Sequence, residues 1–209
     1  MENILHLCAD TGSDSKPYAD RPKDYYVIKI GKRLGVENYG VGRSMETVVP
    51  IYGVIANPVC TEFSVAAGFH KKGDYEKGLF LVRECQRIIK EVNPKFWAIE
   101  NPASGRLKDF LGKPRFVYEP WQFGSPWTKK TALWGEFNIP VPKYTKWAQV
   151  PKNEALYVRP GRPKPSMAFL HKSAKRAIRE FDCFEVDSDM EFRSLCSQNF
   201  AKAFFEVNR

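Results

Sequence analysis

The sequence predicts an α/β protein with an open, mostly parallel sheet flanked by helices. The first observation is an alternation along the chain: the apolar segment IYGVIA at 51–56 precedes a helical pattern at 74–92, and FWAI at 96–99 follows it. The second is that small or polar residues come directly after each apolar segment. The third is the composition, because 43% hydrophobic residues in a chain of 209 suit one well-buried domain.

In chain order, the predicted strands are short apolar runs that end at turn residues. The helical pattern at 74–92 repeats apolar residues at spacings of three and seven and stops at Asn93-Pro94. Shorter helices are predicted at 15–20 and 200–207. The strands are predicted at 4–9, 25–30, 51–56, 96–99, 116–118 and 131–137.

Residues that can take part in binding or catalysis follow three of the predicted strands. DTG follows the first strand, NPVC follows the strand at 51–56, and ENP follows the strand at 96–99. The carboxyl ends of parallel strands meet at one edge of an open sheet, where such folds bind ligands. The sequence therefore predicts that a tight turn, a thiol and a carboxyl group share one rim.

The first of these turns lies in LHLCADTGSDS at 5–15, which fits two unrelated chemistries. One is half of an aspartic-protease dyad, and the other is a small-residue turn that leads from a strand into a helix and holds a cofactor. An aspartic protease is nearly all strand and has a second glycine-turn signal, which this sequence lacks. The α/β alternation therefore favours the cofactor turn.

Cys60 and Glu100 are the candidate catalytic residues of the rim. A cysteine just past a strand and near a helix start has backbone N–H groups and a dipole that favour its thiolate, the form that acts as a nucleophile. Glu100 at the next strand end is placed for general-acid work, and Ser64 for a hydrogen bond to substrate. The alternative is that Cys60 is a small packing residue at a strand end.

The positive charge of the chain is concentrated between residues 143 and 179. This basic segment has ten lysines and arginines against the single acid Glu154, a local excess equal to the net charge of the whole chain, +9. Aromatic residues interleave with the bases, a pattern typical of a surface that meets phosphates. The alternative is a solvated loop that only confers solubility. The candidate phosphate contacts are Lys143, Lys146, Arg159, Arg162, Lys172, Lys175 and Arg176.

Five segments in this order resemble the cytosine carbon-5 DNA methyltransferases. PVCTEFS at 58–64 is similar to the family's nucleophile motif, and FWAIENPASG at 96–105 is similar to its Glu-Asn motif. QFGSPWTKKTALWG, SQNFAKAFF and the opening LHLCADTGS fall where the family has its arginine segment, its closing Gly-Asn motif and its cofactor turn. The chain also resembles compact versions encoded by bacteriophages, for which protection against restriction is the implied purpose.

The resemblance implies a Rossmann-like methyltransferase fold that uses S-adenosylmethionine and acts on DNA, most simply double-stranded. Cys60 would attack carbon 6 of a cytosine, and Glu100 would bind ring nitrogen 3, with the base out of the stack. The implied contacts to the base are Ser64, Lys129 and Asn101, which would also hold the loop. The implied cofactor contacts are Cys8, Asp10, Thr11, Gly12, Ser13, Pro58, Asn199 and Phe200.

The sequence departs from the family at several of these positions. Asp10 stands where the family has glycine, and its charge suits the cofactor's amino group. At the end of the second strand the family has an acid for the ribose. Here the residues at the strand end and just beyond it are the cations Lys29, Lys32 and Arg33, and the next acid is Glu37. A third strand would fall near 40–50, and Lys129 and Thr131 replace two arginines.

We predict a catalytic core at 1–137, a basic, proline-rich segment at 138–180 in place of a target-recognition region, and a return to the catalytic domain at 181–209. The alternative to an enzyme is a relative of the fold that binds nucleic acid or a nucleotide without methyl transfer. Carbon-5 chemistry on RNA or a free nucleotide is a third possibility. Five scattered cysteines and no long apolar run predict a cytoplasmic protein, in a bacterial host if phage-encoded, without metal or membrane contact.

Overall fold

A six-stranded mixed sheet forms the centre of the protein in the computed structural model, which describes residues 1–31, 49–64 and 73–209. The strand order is β2-β1-β3-β4-β6-β5; β1 to β4 are parallel, and β6 runs antiparallel to both β4 and β5. The predicted mostly parallel α/β fold is therefore confirmed. The strands are β1 (Glu2–Leu7), β2 (Tyr25–Ile30), β3 (Ile51–Ala56), β4 (Phe96–Pro102), β5 (Phe116–Tyr118) and β6 (Thr131–Glu136).

Helices cover both faces of the sheet. On one face, α2 buries Val82, Cys85 and Ile88, and the latter two join a cluster with residues of β1, β3 and β4. On the other face, α5 buries Phe200, Phe204 and Phe205 in a second cluster. The α-helices are α1 (Lys16–Ala19), α2 (Tyr75–Val92), α3 (Lys108–Leu111), α4 (Asp189–Ser194) and α5 (Gln198–Val207).

The bounds of the long helix follow from its end residues. The Asp74 side chain accepts a hydrogen bond from the Lys77 amide, which satisfies a free donor of the first turn. Asn93 ends the helix in the left-handed region, with φ of 45°. The predicted helix at 74–92 and the predicted strands at 25–30, 51–56 and 116–118 are confirmed.

Two strands differ from their prediction by more than one residue, and β6 ends one residue earlier than predicted. β4 continues through Glu100 and Asn101 to Pro102 because these residues pair with Leu133, Ala132 and Thr131 of β6. β1 ends at Leu7, two residues early, because Cys8 turns the chain with φ of 56°. The strand expected near 40–50 and the candidate residues Lys32, Arg33 and Glu37 lie largely or wholly outside the described residues.

Between β6 and α4, the chain contains short 3-10 turns rather than strands or long helices. Its apolar residues, including Leu156, Met167 and Phe181, form a cluster with Trp127, Phe192 and Leu195 from outside the segment. The predicted division at 138 and 180 stays a prediction. Within the described ranges, no helix has the length and apolar character that crossing a bilayer requires.

Candidate active site

The rim is the edge of the sheet where β1, β3 and β4 end together. Leu7 pairs with Ala56, and Ala56 pairs with Ile99, so the residues that follow each of them are neighbours. The chain runs from β1 to β2 on one side, while β3 lies on the other side of β1. This reversal of strand order opens the crevice in which doubly wound sheets bind ligands.

The turn after β1 has a conformation that depends on glycine. Gly12 has φ of 68°, and a Cβ there would lie 2.5 Å from the Lys29 ammonium nitrogen. Lys29 therefore lies across the turn. The turn is fixed by two hydrogen bonds from beyond β6, because Ser13 Oγ accepts from the Cys196 amide at 3.0 Å and the Ser13 carbonyl accepts from Gln198 Nε2 at 2.9 Å.

The other residues of the turn differ in exposure. Cys8 is buried, Thr11 is partly buried, and Asp10 is exposed. Thr11 Oγ1 donates to Ser13 Oγ at 3.1 Å, which adds a bond within the turn. A ligand at the rim therefore meets Asp10 and Thr11 before the buried Ser13.

Cys60 is partly buried and directly precedes a 3-10 turn at Thr61–Phe63. The sequence predicts a helix start there, and the turn is three residues long, so the helix dipole expected to act on the thiol is correspondingly small. Asn101 Nδ2 donates to the Pro58 carbonyl at 3.0 Å, which ties the segment before Cys60 to β4. Ser64 follows the 3-10 turn and is partly buried.

A partly buried chain of polar side chains links three strand ends. Asn57 Nδ2 donates to Glu100 Oε2 at 3.2 Å, so the Asn57 Oδ1 atom, 2.7 Å from His6 Nε2, accepts from the imidazole. His6 Nδ1 lies 2.8 Å from Ser15 Oγ. Burial lowers the pKa of His6, which favours the neutral ring that these roles require.

The Glu100 carboxyl group sits where a proton is retained more readily than in water. Burial is the main cause that raises its pKa, the Lys129 ammonium opposes the shift, and the negative charge of Asp14 adds to it. A carboxyl group with a raised pKa keeps its proton to a higher pH than an ordinary glutamate, which suits a proton or hydrogen-bond donor.

A cavity of about 310 Å³, counting its mouth, lies beneath the rim between the sheet and α5. Asp14 and Glu100 line it, and the rest of the wall is mainly apolar, including Ile55, Ala98 and Phe200. Phe200 stacks on Tyr118 with ring centroids 3.6 Å apart. Two carboxyl groups in an apolar wall favour a ligand that is cationic and largely hydrophobic.

Two of the candidate residues have side chains engaged elsewhere. Lys129 Nζ donates to the carbonyls of Ser194 and Leu195, at 2.8 and 3.0 Å, and acts on Glu100 through its charge. The Asn199 side chain donates to Ser125 Oγ at 3.1 Å, so Phe200 is the member of that pair that lines the cavity.

The candidate phosphate contacts differ in exposure and in the partners of their side chains. Arg159 and Arg162 are exposed beside the ring of Phe169. Lys172 is engaged within the protein, because its Nζ donates to the Asp187 carbonyl at 2.7 Å. Lys143, Lys146 and Arg176 are exposed, and Lys175 is partly buried.

Sequence reasoning missed three residues of the site. His6 is a single polar residue inside an apolar strand, Asn57 immediately follows a strand, and Asp14 follows the glycine turn. These positions are the available signals, yet each role depends on a partner in another strand or in α5.

The fold and the rim together define an open α/β protein with a strand-end site that combines a thiol, a carboxyl group and an acidic cavity. The chain is 34% identical over 107 aligned positions to a Frog virus 3 (isolate Goorha) protein named probable DNA (cytosine-5)-methyltransferase. This alignment covers 43% of the chain and 48% of the viral protein, so the chain spans about half the length of that relative. It confirms the resemblance that the motifs indicate.

A solved structure also resembles the chain, a candidate DNA modification methyltransferase encoded within an E. coli prophage. The two are 16% identical with a TM-score of 0.49, over 78% of this chain and 56% of the other. No family model matches the chain. The fold assignment rests on the strand order and directions.

Proposed function

We propose that the protein is an S-adenosylmethionine-dependent DNA methyltransferase that modifies carbon 5 of cytosine through a covalent adduct with Cys60. The observation that supports it most is the tie between the two candidate catalytic segments. Asn101 adjoins Glu100 in β4 and holds the Pro58 carbonyl, two residues before Cys60. A thiol and a carboxyl group fixed to one rim are what attack on a pyrimidine ring requires.

In the proposed reaction, the Cys60 thiolate forms a bond to carbon 6 of the cytosine. The electron pair of the carbon 5–carbon 6 double bond moves into the carbon 4–carbon 5 bond, and that of the carbon 4–nitrogen 3 double bond moves onto nitrogen 3. Carbon 5 thereby becomes an enamine-like nucleophile. After carbon 5 has gained a methyl group, loss of its proton to a base restores the double bond. The sulfur–carbon 6 bond breaks in the same step, which returns the Cys60 thiolate.

Glu100 stabilises the adduct at ring nitrogen 3, where negative charge develops when the thiolate adds. A protonated carboxyl group donates a hydrogen bond or a proton there, and burial keeps the Glu100 proton in place to a higher pH. The Asn57 amide occupies Oε2, so it fixes the rotation of the carboxyl group relative to the base.

The residues present fit S-adenosylmethionine in charge and shape. This cofactor is cationic at its sulfonium and ammonium groups, and the cavity offers the Asp14 carboxyl group in a mainly apolar wall. Asp10 and Thr11 on the turn and Phe200 on α5 complete the group that would hold it. When bound, the cofactor supplies an electrophilic methyl group.

The decisive test is trapping with duplex DNA that contains 5-fluorocytosine, in the presence of S-adenosylmethionine. Fluorine cannot leave carbon 5 as a proton does, so the working enzyme remains covalently attached to the DNA. We expect an adduct with one additional methyl group by intact-mass analysis. Cys60→Ser abolishes it.

Cys183→Ser is the matched control for this test, because Cys183 is an exposed cysteine outside the rim. It is expected to form the adduct at the wild-type level. An adduct that survives in Cys60→Ser, or its absence from wild-type protein that binds both DNA and cofactor, contradicts the proposal.

A specific observation supports the alternative of a nucleotide-binding protein without methyl transfer. Lys29 lies across the glycine turn, where a cation favours a phosphate group over the uncharged ribose hydroxyls. Calorimetric titration separates the two functions: S-adenosylmethionine gives binding heat with the methyltransferase, whereas a phosphorylated nucleotide alone gives it with the alternative.

A further inference from the structure

The basic segment contains a continuous surface of stacked cations, which we call the stacked-cation patch. The guanidinium carbons of Arg159 and Arg162 lie 4.3 and 4.6 Å from the centre of the Phe169 ring. Lys164 Nζ lies 4.9 Å from the Trp121 ring and 5.6 Å from that of Trp147. The patch consists of Arg159, Arg162, Lys164, Phe169, Trp121 and Trp147.

The two arginines of this patch form no ion pair among the described residues, and the Lys164 charge acts on the Glu119 carboxyl group without forming one. Among the ion pairs of the described ranges, none includes Arg159, Arg162 or Lys164. These three residues line a pocket of about 210 Å³, together with Tyr157, Ser166 and Phe169. Three cations around one pocket repel one another, so an anion that enters it is bound favourably.

The neighbouring bases at 171–176 are in a different situation. The Lys172 amide and the His171 ring both contact the Asp189 carboxylate, at 2.8 and 2.9 Å. Lys172 Nζ is engaged by the Asp187 carbonyl. These contacts hold the turn against α4 and leave less of its charge available to a partner.

The patch is joined to the rim through a short stretch of backbone. The Thr128 amide donates to the Pro165 carbonyl at 2.9 Å, and the Met167 amide donates to the Thr128 carbonyl at 3.0 Å. The next residue is Lys129, whose charge acts on Glu100. These bonds place the segment of the patch beside Thr128, next in sequence to the residue whose charge acts on Glu100.

We propose that the stacked-cation patch binds the sugar–phosphate backbone of the DNA next to the target base, with Arg159 and Arg162 each contacting a phosphate. This inference rests on the proposed function. Stacking on Phe169 orients each guanidinium and leaves its N–H edge for the oxygens of an anion. Phosphate is the partner that matches this fork of donors and the unbalanced charge.

The test measures the affinity for a 20-base-pair DNA duplex at several salt concentrations. Each phosphate contact contributes about 0.9 to the slope of log affinity against log salt. The double variant Arg159→Ala/Arg162→Ala is expected to reduce the steepness of the slope by about two and to weaken binding at low salt by at least tenfold. Lys172→Ala/Lys175→Ala should change the slope by less than one.

The matched control is Lys77→Ala/Lys90→Ala, which removes the same charge from exposed positions of α2. It is expected to leave the slope unchanged. Equal loss of slope in all three double variants, or loss only at Lys172 and Lys175, overturns the inference. Equal thermal melting of the variants shows that each is folded.

A second readout separates this inference from the proposed function. At saturating DNA, Arg159→Ala/Arg162→Ala should still form the 5-fluorocytosine adduct, because Cys60 and Glu100 are intact. If wild-type protein forms no adduct while the slope still falls as expected, the patch remains a DNA surface and only the methyltransferase proposal fails.

Discussion

At the scale of single residues, His6 shows how a buried group acts on the site without reaching the ligand. It is almost fully buried in β1, and its ring holds Asn57, which in turn holds Glu100. The neutral ring is one donor and one acceptor, and Asn57 and Ser15 match these two roles. Burial is what favours the neutral ring, because a protonated ring would still donate to Asn57 Oδ1.

This arrangement predicts a pH dependence of stability. Since burial lowers the pKa of His6 below its usual 6.5, the unfolded chain binds more protons than the folded one as the pH falls below about that value. The free energy of unfolding therefore falls on acidification, by at most about 2 kcal/mol from this residue at pH 5. Urea unfolding at pH 7.5 and pH 5 measures it.

His6→Gln is the comparison, because its amide carries no charge at either pH. The raised pKa of Glu100 acts with the opposite sign, favouring the folded state as the pH falls, and it is common to both proteins. The difference between the two proteins in the fall of the free energy of unfolding is therefore the contribution of His6. The same fall in both proteins would show that His6 is not the group that takes up the proton.

At the scale of elements, β6 gives the sheet its mixed character. It lies between β4 and β5 and runs antiparallel to both. Gly135 in β6 pairs with Ala98 and has φ of 145°, and a Cβ there would lie 2.1 Å from the Trp97 carbonyl oxygen. A backbone atom cannot move aside as a flexible side chain does, so this strand pair requires glycine.

We expect Gly135→Ala to destabilise the protein by about 3 kcal/mol or more, because the clash and the unfavourable φ add. Urea unfolding measures the loss. Gly31→Ala, which has open space around its Cβ position, is the control and should change stability by under about 1 kcal/mol. Equal stability of the two variants would contradict the register of β4 and β6.

At the scale of the whole molecule, the site is assembled from widely separated parts of the chain. β1, β3 and β4 supply the rim, α5 supplies a wall of the cavity, and Ser13 is bonded to Gln198. A ligand that contacts all of these parts binds the folded chain and not the unfolded one. Its binding energy is therefore added to the stability of the fold.

S-adenosylmethionine at one hundred times its dissociation constant should stabilise the protein by about 2.7 kcal/mol. For a chain of this size, the corresponding rise in melting temperature is about 5–10 °C. Asp14→Asn keeps the shape of the cavity and removes a charge, so the rise should be smaller at the same cofactor concentration. An equal rise in both proteins would mean that the cofactor does not use Asp14.

Much of this fold follows from short-range patterns in the sequence. The strands at 25–30, 51–56 and 116–118 end at turn residues, and the bond from Asn101 to the Pro58 carbonyl follows from parallel strands with aligned ends. The antiparallel direction of β6 has no such signal, because the spacing of apolar residues does not encode direction. Direction depends on the connection between strands.

The details of the site depend on partners that are distant in sequence. Lys129 Nζ contacts carbonyls 65 and 66 residues away, and Asn57 meets Glu100 across 43 residues. The charge count alone predicts the same role for Lys172 and Arg159. Both are exposed, yet Lys172 Nζ donates to a carbonyl of the chain, whereas the Arg159 guanidinium lies against a ring. Residue type predicts the kind of contact, while only the fold determines with which partner it is made.

The bond between Ser13 and Gln198 joins residues 185 positions apart. Ribosomes extend a chain by about 5–20 residues each second, so the turn emerges many seconds before the residue that fixes it. During synthesis the strands can pair in turn, but the bond that fixes the turn after β1 cannot form until α5 has been synthesised. A nascent chain from which α5 has not yet emerged therefore has a rim without its wall, and we expect the proposed methyl transfer to begin only after this late contact is made.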